Sequence, residues 1–420
     1  MDSLLTVSPG RPDESTSRRR RTGQPLKILH VGKFMPPSFG GMERALHAMA
    51  TGMADRGHAV RVLAHADGGA PEISDEAGVR VMRAPYALRF GTMPLSLTYL
   101  DTYRRWSRWA DIVHFHEPFP PASIGFCLLP TPPRVVVSWH SDIVRQRLLR
   151  PIAQFFQSRL CAHASRIISS TAQLRDRSPM LARWRDKCAV IGFGLDTAPF
   201  QRACSDPAGI EAWRRRYGGR FALAVGRLVS YKGFDVLLQA LAATDARLVI
   251  VGEGPLDADL RRQCAALGLA DRVVFAGGVA DRDLPGHYAA CEFLVLPSVS
   301  AAETFGIVQI EAMACGKPVI NTDLPTGVPE VSLDGVTGIT VPPGDADALA
   351  TALDRLWHDP SLTAALGERA RARVETCYAR EATAVALESL YRAVMRARPS
   401  AAAPSINEMP IPISESATIV

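Results

Sequence analysis

Glu303 and Glu311 bracket the run Glu303-Thr-Phe-Gly-Ile-Val-Gln-Ile-Glu311, which changes midway from loop-forming to helix-forming residues. Thr304-Phe305-Gly306 can turn the chain sharply, and an apolar helix follows from Ile307. A helix that begins this way leaves free backbone N–H groups at its start, which suits an anionic ligand. Glu303 falls in the loop and Glu311 more than a turn into the helix. At a rise of about 1.5 Å per residue, the two carboxylates can hold opposite ends of an extended ligand. A Glu pair around a helix start can also be purely structural. The apolar strand Phe293-Leu-Val-Leu-Pro297 just upstream favours a site, because open α/β sheets bind ligands beyond strand carboxyl ends.

Opposite charge is available in a second loop, Val225-Gly-Arg227-Leu-Val-Ser-Tyr-Lys232-Gly-Phe-Asp235. Arg227 and Lys232 precede a helix there and can neutralise a diphosphate without a metal, Arg as a planar fork and Lys as a point charge. At an effective dielectric of about 20 such a contribution is roughly several kcal/mol. Two solvated surface cations would show the same spacing. Gly252-Glu253-Gly254-Pro255 is another strand-end turn, suited to approach a nucleotide base or sugar, or to be a turn and nothing more. Near the N-terminus, Gly40 and Gly41 end a loop that follows the first strand and permit close backbone approach to a ligand before a helix. The pattern is not GxGxxG, and no acidic ribose anchor of a nicotinamide site follows it.

These residues must be positioned by a chain of 420 residues, too long for one core. Hydrophobic residues make up 47% and charged residues 21%, with a formal charge of +6, the profile of an ordinary globular protein. Four of the positive charges sit in Arg18-Arg-Arg-Arg21, within a tail over 1–24 that reads as disordered rather than as a signal peptide. The Ala-, Pro- and Ser-rich stretch 397–420 reads as a second disordered tail. No segment has the roughly 18 uninterrupted apolar residues of a membrane span. The eight cysteines lack CxxC spacing and the ten histidines form no HExxH set, so free thiols, a reducing cytosolic setting and no metal are expected.

Short β-branched runs alternate with helical patterns, which predicts βαβ units and parallel sheets. Expected strands cover 27–31, 60–64, 79–83, 112–116, 134–139, 166–169 and 189–192, then 221–225, 247–251, 273–276, 293–296, 318–322 and 338–341. Helices are expected at 42–57, 235–243, 256–267, 346–357 and 380–396. A polar, helix-poor stretch at 196–206 reads as a hinge. The architecture expected is α/β, with two doubly wound Rossmann-like domains facing a cleft. They would cover 25–198 and 199–379, and the helix 380–396 could cross back to the first.

Taken together, Gly226-Arg-Leu-x-x-x-Lys232-Gly, Gly252-Glu-Gly-Pro, the Glu-x₇-Glu run and Gly338-Ile-Thr-Val-Pro-Pro-Gly-Asp345 occur in the order seen in retaining glycosyltransferases of family 4, of GT-B type. The resemblance spans roughly residues 25–395 and is looser in the first half. Thr304 stands where that family often has Gly. The resemblance implies that Arg227 and Lys232 hold the donor diphosphate and stabilise the leaving nucleoside diphosphate. It places Glu311 on the ribose, with Glu303, Thr304, Phe305, Gly306 and Ile307 around the transferred sugar. Gly40, Gly41, Gly252 and Glu253 complete the donor set, and His140, in Val137-Ser-Trp-His140-Ser-Asp142, lies near the sugar. Such enzymes are thought to substitute on the leaving-group face, so catalysis would rest on positioning and charge stabilisation rather than on a hydrolase acid/base pair.

The acceptor side is expected in the first half, with His116, His140 and Asp142 lining it. Two basic, aromatic-interleaved stretches, Tyr103-Arg-Arg-Trp-Ser-Arg-Trp109 and the one from Arg145 to Phe156, suit an anionic membrane surface and a lipid-linked acceptor. Exposed arginines on helices whose aromatics face the core would look the same. No nucleic-acid recognition module is evident. The flavour of Trp139-His-Ser-Asp-Ile-Val-Arg145 and Asn321-Thr-Asp-Leu-Pro-Thr-Gly-Val-Pro329 is similar to bacterial exopolysaccharide and O-antigen mannosyltransferases, hence GDP-mannose as the expected donor. A UDP-sugar donor, a sugar-nucleotide 2-epimerase and a non-catalytic membrane-binding scaffold are the alternatives.

Overall fold

The computed structural model describes residues 24–35, 41–66, 69–86, 88–90, 93–130, 132, 134–142 and 150–397. Apart from Gln24 and Ala397, the two expected tails lie outside these residues, as does Gly40. Two sheets dominate the structure. The first has eight strands in the spatial order Cys188–Val190, Arg166–Ser169, Val135–Trp139, Ile112–Glu117, Lys27–Val31, Ala59–Ala66, Val79–Pro85 and Glu72–Glu76. The second has six, in the order Val273–Gly277, Leu248–Val251, Ala222–Val225, Leu294–Val295, Val319–Thr322 and Gly338–Val341. Every pairing is parallel except Glu72–Glu76 against Val79–Pro85 and the small hairpin Leu88–Phe90 with Met93–Leu95.

Near-continuous apolar strands fit this arrangement, because both faces of each sheet are covered. The sequence reading missed Glu72–Glu76, since Glu-Ile-Ser-Asp-Glu lacks an apolar face. Its partners include Arg83, which pairs with Glu76. The stretch 196–206 is also different from expectation. It contains the helix Ala198–Cys204, whose Phe200 is buried and packs against Tyr288. Two turns are too few to register as a periodicity, and tertiary contact supplies the order.

Each sheet reverses its winding once. In the first, Lys27–Val31 has Ala59–Ala66 on one side and Ile112–Glu117 on the other, and in the second Ala222–Val225 lies between Leu248–Val251 and Leu294–Val295. The loops leaving these central strands therefore open into a crevice. The helix Gly41–Asp55 buries Leu46, Met49, Ala50 and Met53 on the first sheet, while Ala45 packs against residues of the second half. The last helix, Arg380–Arg396, does not stay with the second sheet. Its Leu387, Tyr391 and Val394 join Ile28, Val62 and Leu46 in one core. Gly52 permits this approach, since a Cβ there would lie 3.2 Å from that of Ala384. Glu388 on the last helix also pairs with Arg56.

Leu387→Ala is expected to cost roughly 2–5 kcal/mol, the range for emptying a packed leucine site. Urea unfolding followed by far-UV circular dichroism would measure it.

Candidate active site

A cavity of about 510 Å³ opens between the two halves. Its lining includes Gly41, His140, Arg227, Lys232, Glu303, Thr304, Phe305, Gly306, Ile307 and Glu311, drawn from both switch-point crevices. Ten of the residues expected from sequence thus meet on one surface.

Gly306 adopts φ +70° and precedes the helix Ile307–Ala314. A side chain there would be strained in that conformation and would also meet Leu296 Cδ2 at 2.5 Å, so only glycine starts the helix this way. Gly41 begins the opposite helix, and a Cβ on it would lie 3.3 Å from Ile307 Cδ1. Two helix starts therefore face each other across the cavity, and the partial positive charge of both is directed at it.

The carboxylates are buried and each has a cation. Lys232 Nζ donates to Glu303 Oε2 at 2.5 Å, and Ser298 Oγ donates to the same oxygen at 3.2 Å. Arg44 Nη1 donates to Glu311 Oε1 at 2.8 Å, and Tyr288 OH donates to Oε2 at 2.6 Å. Burial raises the Glu311 carboxyl above its ordinary value, with Arg44 and Tyr288 opposing the rise. Arg227 is different: it is exposed at the cavity and, among the described residues, no side chain pairs with it. Among the described residues, the cleft thus presents the unpaired Arg227 guanidinium and two carboxylate–cation pairs.

Arg44 was not anticipated. It comes from the first half, also reaches Asp281 at 3.2 Å, and ties the two halves across the cleft. Its only sequence signal is its position one turn into the helix after the glycine pair.

Four expected residues do not line the cavity. Gly252 and Glu253 are two of them. A Cβ on Gly252, at φ +141°, would sit 2.0 Å from Gly226 O, and the Glu253 carbonyl accepts from Leu228 N at 3.0 Å. This turn buttresses the Arg227 loop from behind, because glycine's absent side chain lets the two loops stack. Asp142 is also turned away from the cavity, accepting from Trp139 Nε1 at 3.1 Å and Ser178 Oγ at 2.8 Å. His116 is fully buried behind His140, so it lies next to the wall without reaching the cavity.

His140 itself is held by its backbone N–H, which donates to Glu117 O at 2.8 Å, and its ring stacks on Phe193 at 5.6 Å between centroids. Burial pushes it down to about 4, so the ring is neutral at physiological pH. Of the basic aromatic stretches, the helix Leu97–Trp109 turns Trp106 and Trp109 inward to stack with Arg61 and leaves Arg104, Arg105 and Arg108 exposed. In the second stretch, 145–149 lie outside the described residues and Arg150 opens the helix Arg150–His163. Among the described residues no helix is long and apolar enough to cross a membrane.

Two largely parallel sheets whose switch-point loops converge on one cleft make this a GT-B fold. The comparisons with known proteins agree. A model of glycosyl transferases group 1 matches residues 210–373, and one of a glycosyl transferase 4-like domain matches residues 40–194. The O-antigen chain mannosyltransferase C of Escherichia coli is 31% identical over 89% of this chain and 100% of its own length. The D-rhamnosyltransferase WbpZ of Pseudomonas aeruginosa is 33% identical, over 83% of this chain and 91% of its own. A GDP-mannose-dependent phosphatidylinositol monomannoside mannosyltransferase of Mycolicibacterium smegmatis is 32% identical over 82% and 92%. Anabaena HepE, solved in complex with UDP, superposes with a TM-score of 0.70 at 22% identity, covering 88% of this chain and 100% of its own. The chain belongs to the group 1, family 4-like glycosyltransferases, and is a glycosyltransferase. The relatives are transferases by name, which leaves the epimerase and scaffold alternatives without support.

Removing the Arg44 charge, as in Arg44→Met, should raise the Glu311 carboxyl further. A carboxyl raised in the folded state gives stability that is present below its unfolded value, near pH 4, and is lost as pH rises through the folded value. The stability gap between Arg44→Met and the wild type should therefore widen from about pH 4 to about pH 7. Chemical denaturation at the two pH values checks the sign.

Proposed function

We propose that this glycosyltransferase moves a hexose from a nucleotide-diphosphate sugar to a lipid-linked or polysaccharide acceptor in surface-polysaccharide synthesis, with retention of anomeric configuration and without a metal. The observation that carries this reading is the convergence of Arg227, Lys232 and two helix starts on one cavity, with Glu303 and Glu311 at separate points of its wall. Two cations and two dipole ends suit a diphosphate and can stabilise it as it leaves. Glu303 then faces the sugar and Glu311 the ribose, each exchanging its protein cation for ligand hydroxyls. With Lys232 held against Glu303, neither is arranged as a free acid or base. The departing phosphate is left to take the acceptor proton, and the protein contributes position and charge.

Mannose from GDP-mannose is the donor this reading favours. It is supported by the names of the E. coli and mycolicibacterial relatives, which specify mannosyl transfer and, for the latter, GDP-mannose and a phosphoinositide acceptor. The exposed Arg104, Arg105 and Arg108 on the first half suit an anionic membrane surface, where a lipid-linked acceptor would be met.

The test is incubation of purified protein with a panel of GDP- and UDP-sugars and a membrane lipid extract, following sugar incorporation and nucleoside diphosphate release. Mannose incorporation from GDP-mannose that persists in EDTA is expected. Arg227→Ala and Glu303→Ala should each reduce kcat by roughly 10²–10³-fold, the size of losing one charge-stabilising contact in a closed site. Turnover with UDP-sugars alone would overturn the donor assignment, and loss of product in EDTA would overturn the metal-free mechanism.

A further inference from the structure

Behind His140 two more histidines stand in line. His116 Nδ1 lies 3.1 Å from His140 Nε2, and His116 Nε2 lies 3.0 Å from His30 Nδ1. Strand geometry produces the line. His30 pairs with His114 across adjacent parallel strands, and His116, two residues on, shares that face because side chains alternate along a strand. His140 follows the last residue of the next strand, Val135–Trp139. None of the three rings is charged: burial pushes His30 down to about 3 and His140 to about 4, and holds His116 well below its ordinary value.

A neutral imidazole has one N–H and one bare nitrogen, so two consecutive ring-to-ring bonds must run in the same direction. If they run inward, from His140 to His30, the final N–H is on His30 Nε2. That atom is buried and has no hydrogen-bond partner. If they run outward, His30 Nδ1–H donates to His116 Nε2 and His116 Nδ1–H donates to His140 Nε2. The last N–H is then His140 Nδ1, on the ring that lines the cavity, where no protein group among the described residues bonds to it. Stranded N–H groups are rarer in protein interiors than under-satisfied acceptors, which favours the outward direction. His114 does not divert the chain, because its two nitrogens are taken by Tyr391 OH at 2.6 Å and Ser138 Oγ at 2.8 Å.

We infer that His30 and His116 are positioning residues that lock His140 in its Nδ1–H tautomer, so that the ring meets the substrate as a hydrogen-bond donor to a sugar oxygen. The tautomer lock is a property of the protein alone; its use in catalysis rests on the cavity being the sugar site, as proposed above. Neither His30 nor His116 touches substrate.

Long-range ¹H–¹⁵N correlation spectra of substrate-free, ¹⁵N-histidine-labelled protein read the tautomer directly. His140 is expected as Nδ1–H in the wild type. It should remain so in His116→Gln, whose amide can accept from His30 and donate to His140. His116→Phe keeps a stacked ring but no hydrogen bonds, and His140 should lose its single tautomer. His30→Phe gives a second test, since it removes the far end that sets the direction, and should leave His140 as a mixture. In transfer assays His116→Phe should lower kcat about tenfold, the effect of one lost hydrogen bond, with donor KM nearly unchanged, and His116→Gln should restore it. An Nε2–H tautomer in the wild type, or an unaltered His140 in both Phe variants, overturns the lock. A shifted tautomer with unchanged kcat overturns the positioning role. Absence of transfer by wild-type protein with every nucleotide sugar overturns the functional reading instead, and the spectra still decide the lock.

Discussion

A carboxylate removed from water has to be paired, and that requirement organises the cleft. Glu303 and Glu311 are both nearly inaccessible, and each is matched by a cation from another segment. One pair, Lys232–Glu303, lies within the second half, while the other, Arg44–Glu311, spans the two halves. The two carboxylates are therefore neutralised within the protein, while Arg227 has no side-chain partner among the described residues. A ligand able to replace these pairs must bring negative charge for the cations and hydroxyls for the carboxylates, and a nucleotide sugar carries both. A ligand that displaced the pairs without bringing both features would leave a buried charge unmatched.

The same requirement explains why the site needs two sheets. A single switch point supplies loops from one crevice. Here Gly41, Arg44 and His140 come from one sheet, and Arg227, Lys232 and the Glu303–Glu311 run come from the other. The helix Arg380–Arg396 belongs to the end of the chain but packs on the first sheet, so it links the halves a second time. The Arg44 contact would be strained or broken if the halves separated, which makes cleft geometry and charge pairing a single coupled property.

Much of this was legible in advance. Apolar strand runs and the turn residues between them act over a few positions, so the strand order along the chain and the loops bearing Arg227, Lys232, Glu303 and Gly306 could be read directly. The spacing of Glu303 and Glu311 around Gly306 already implied a helix start. Where local signals were weak the reading failed: Glu72–Glu76 has no apolar face, and Ala198–Cys204 is too short to display a period. For Gly252 and Glu253 the sequence leaves a ligand-facing turn and a plain turn both open, because a glycine-rich strand end can serve a ligand or another loop and composition does not distinguish the two.

The sequence by itself determined the alternation of strands and helices, the chemistry available in each loop and the glycine that permits the helix at Ile307. Only the tertiary structure decided which charges meet. Arg44 and Glu311 are 267 residues apart, and His30 and His116 are 86 apart. No periodicity or turn signal extends over such distances. Partnership between buried polar groups is fixed by how whole sheets and helices pack, because the cost of an unpaired buried group is felt only once water has been excluded.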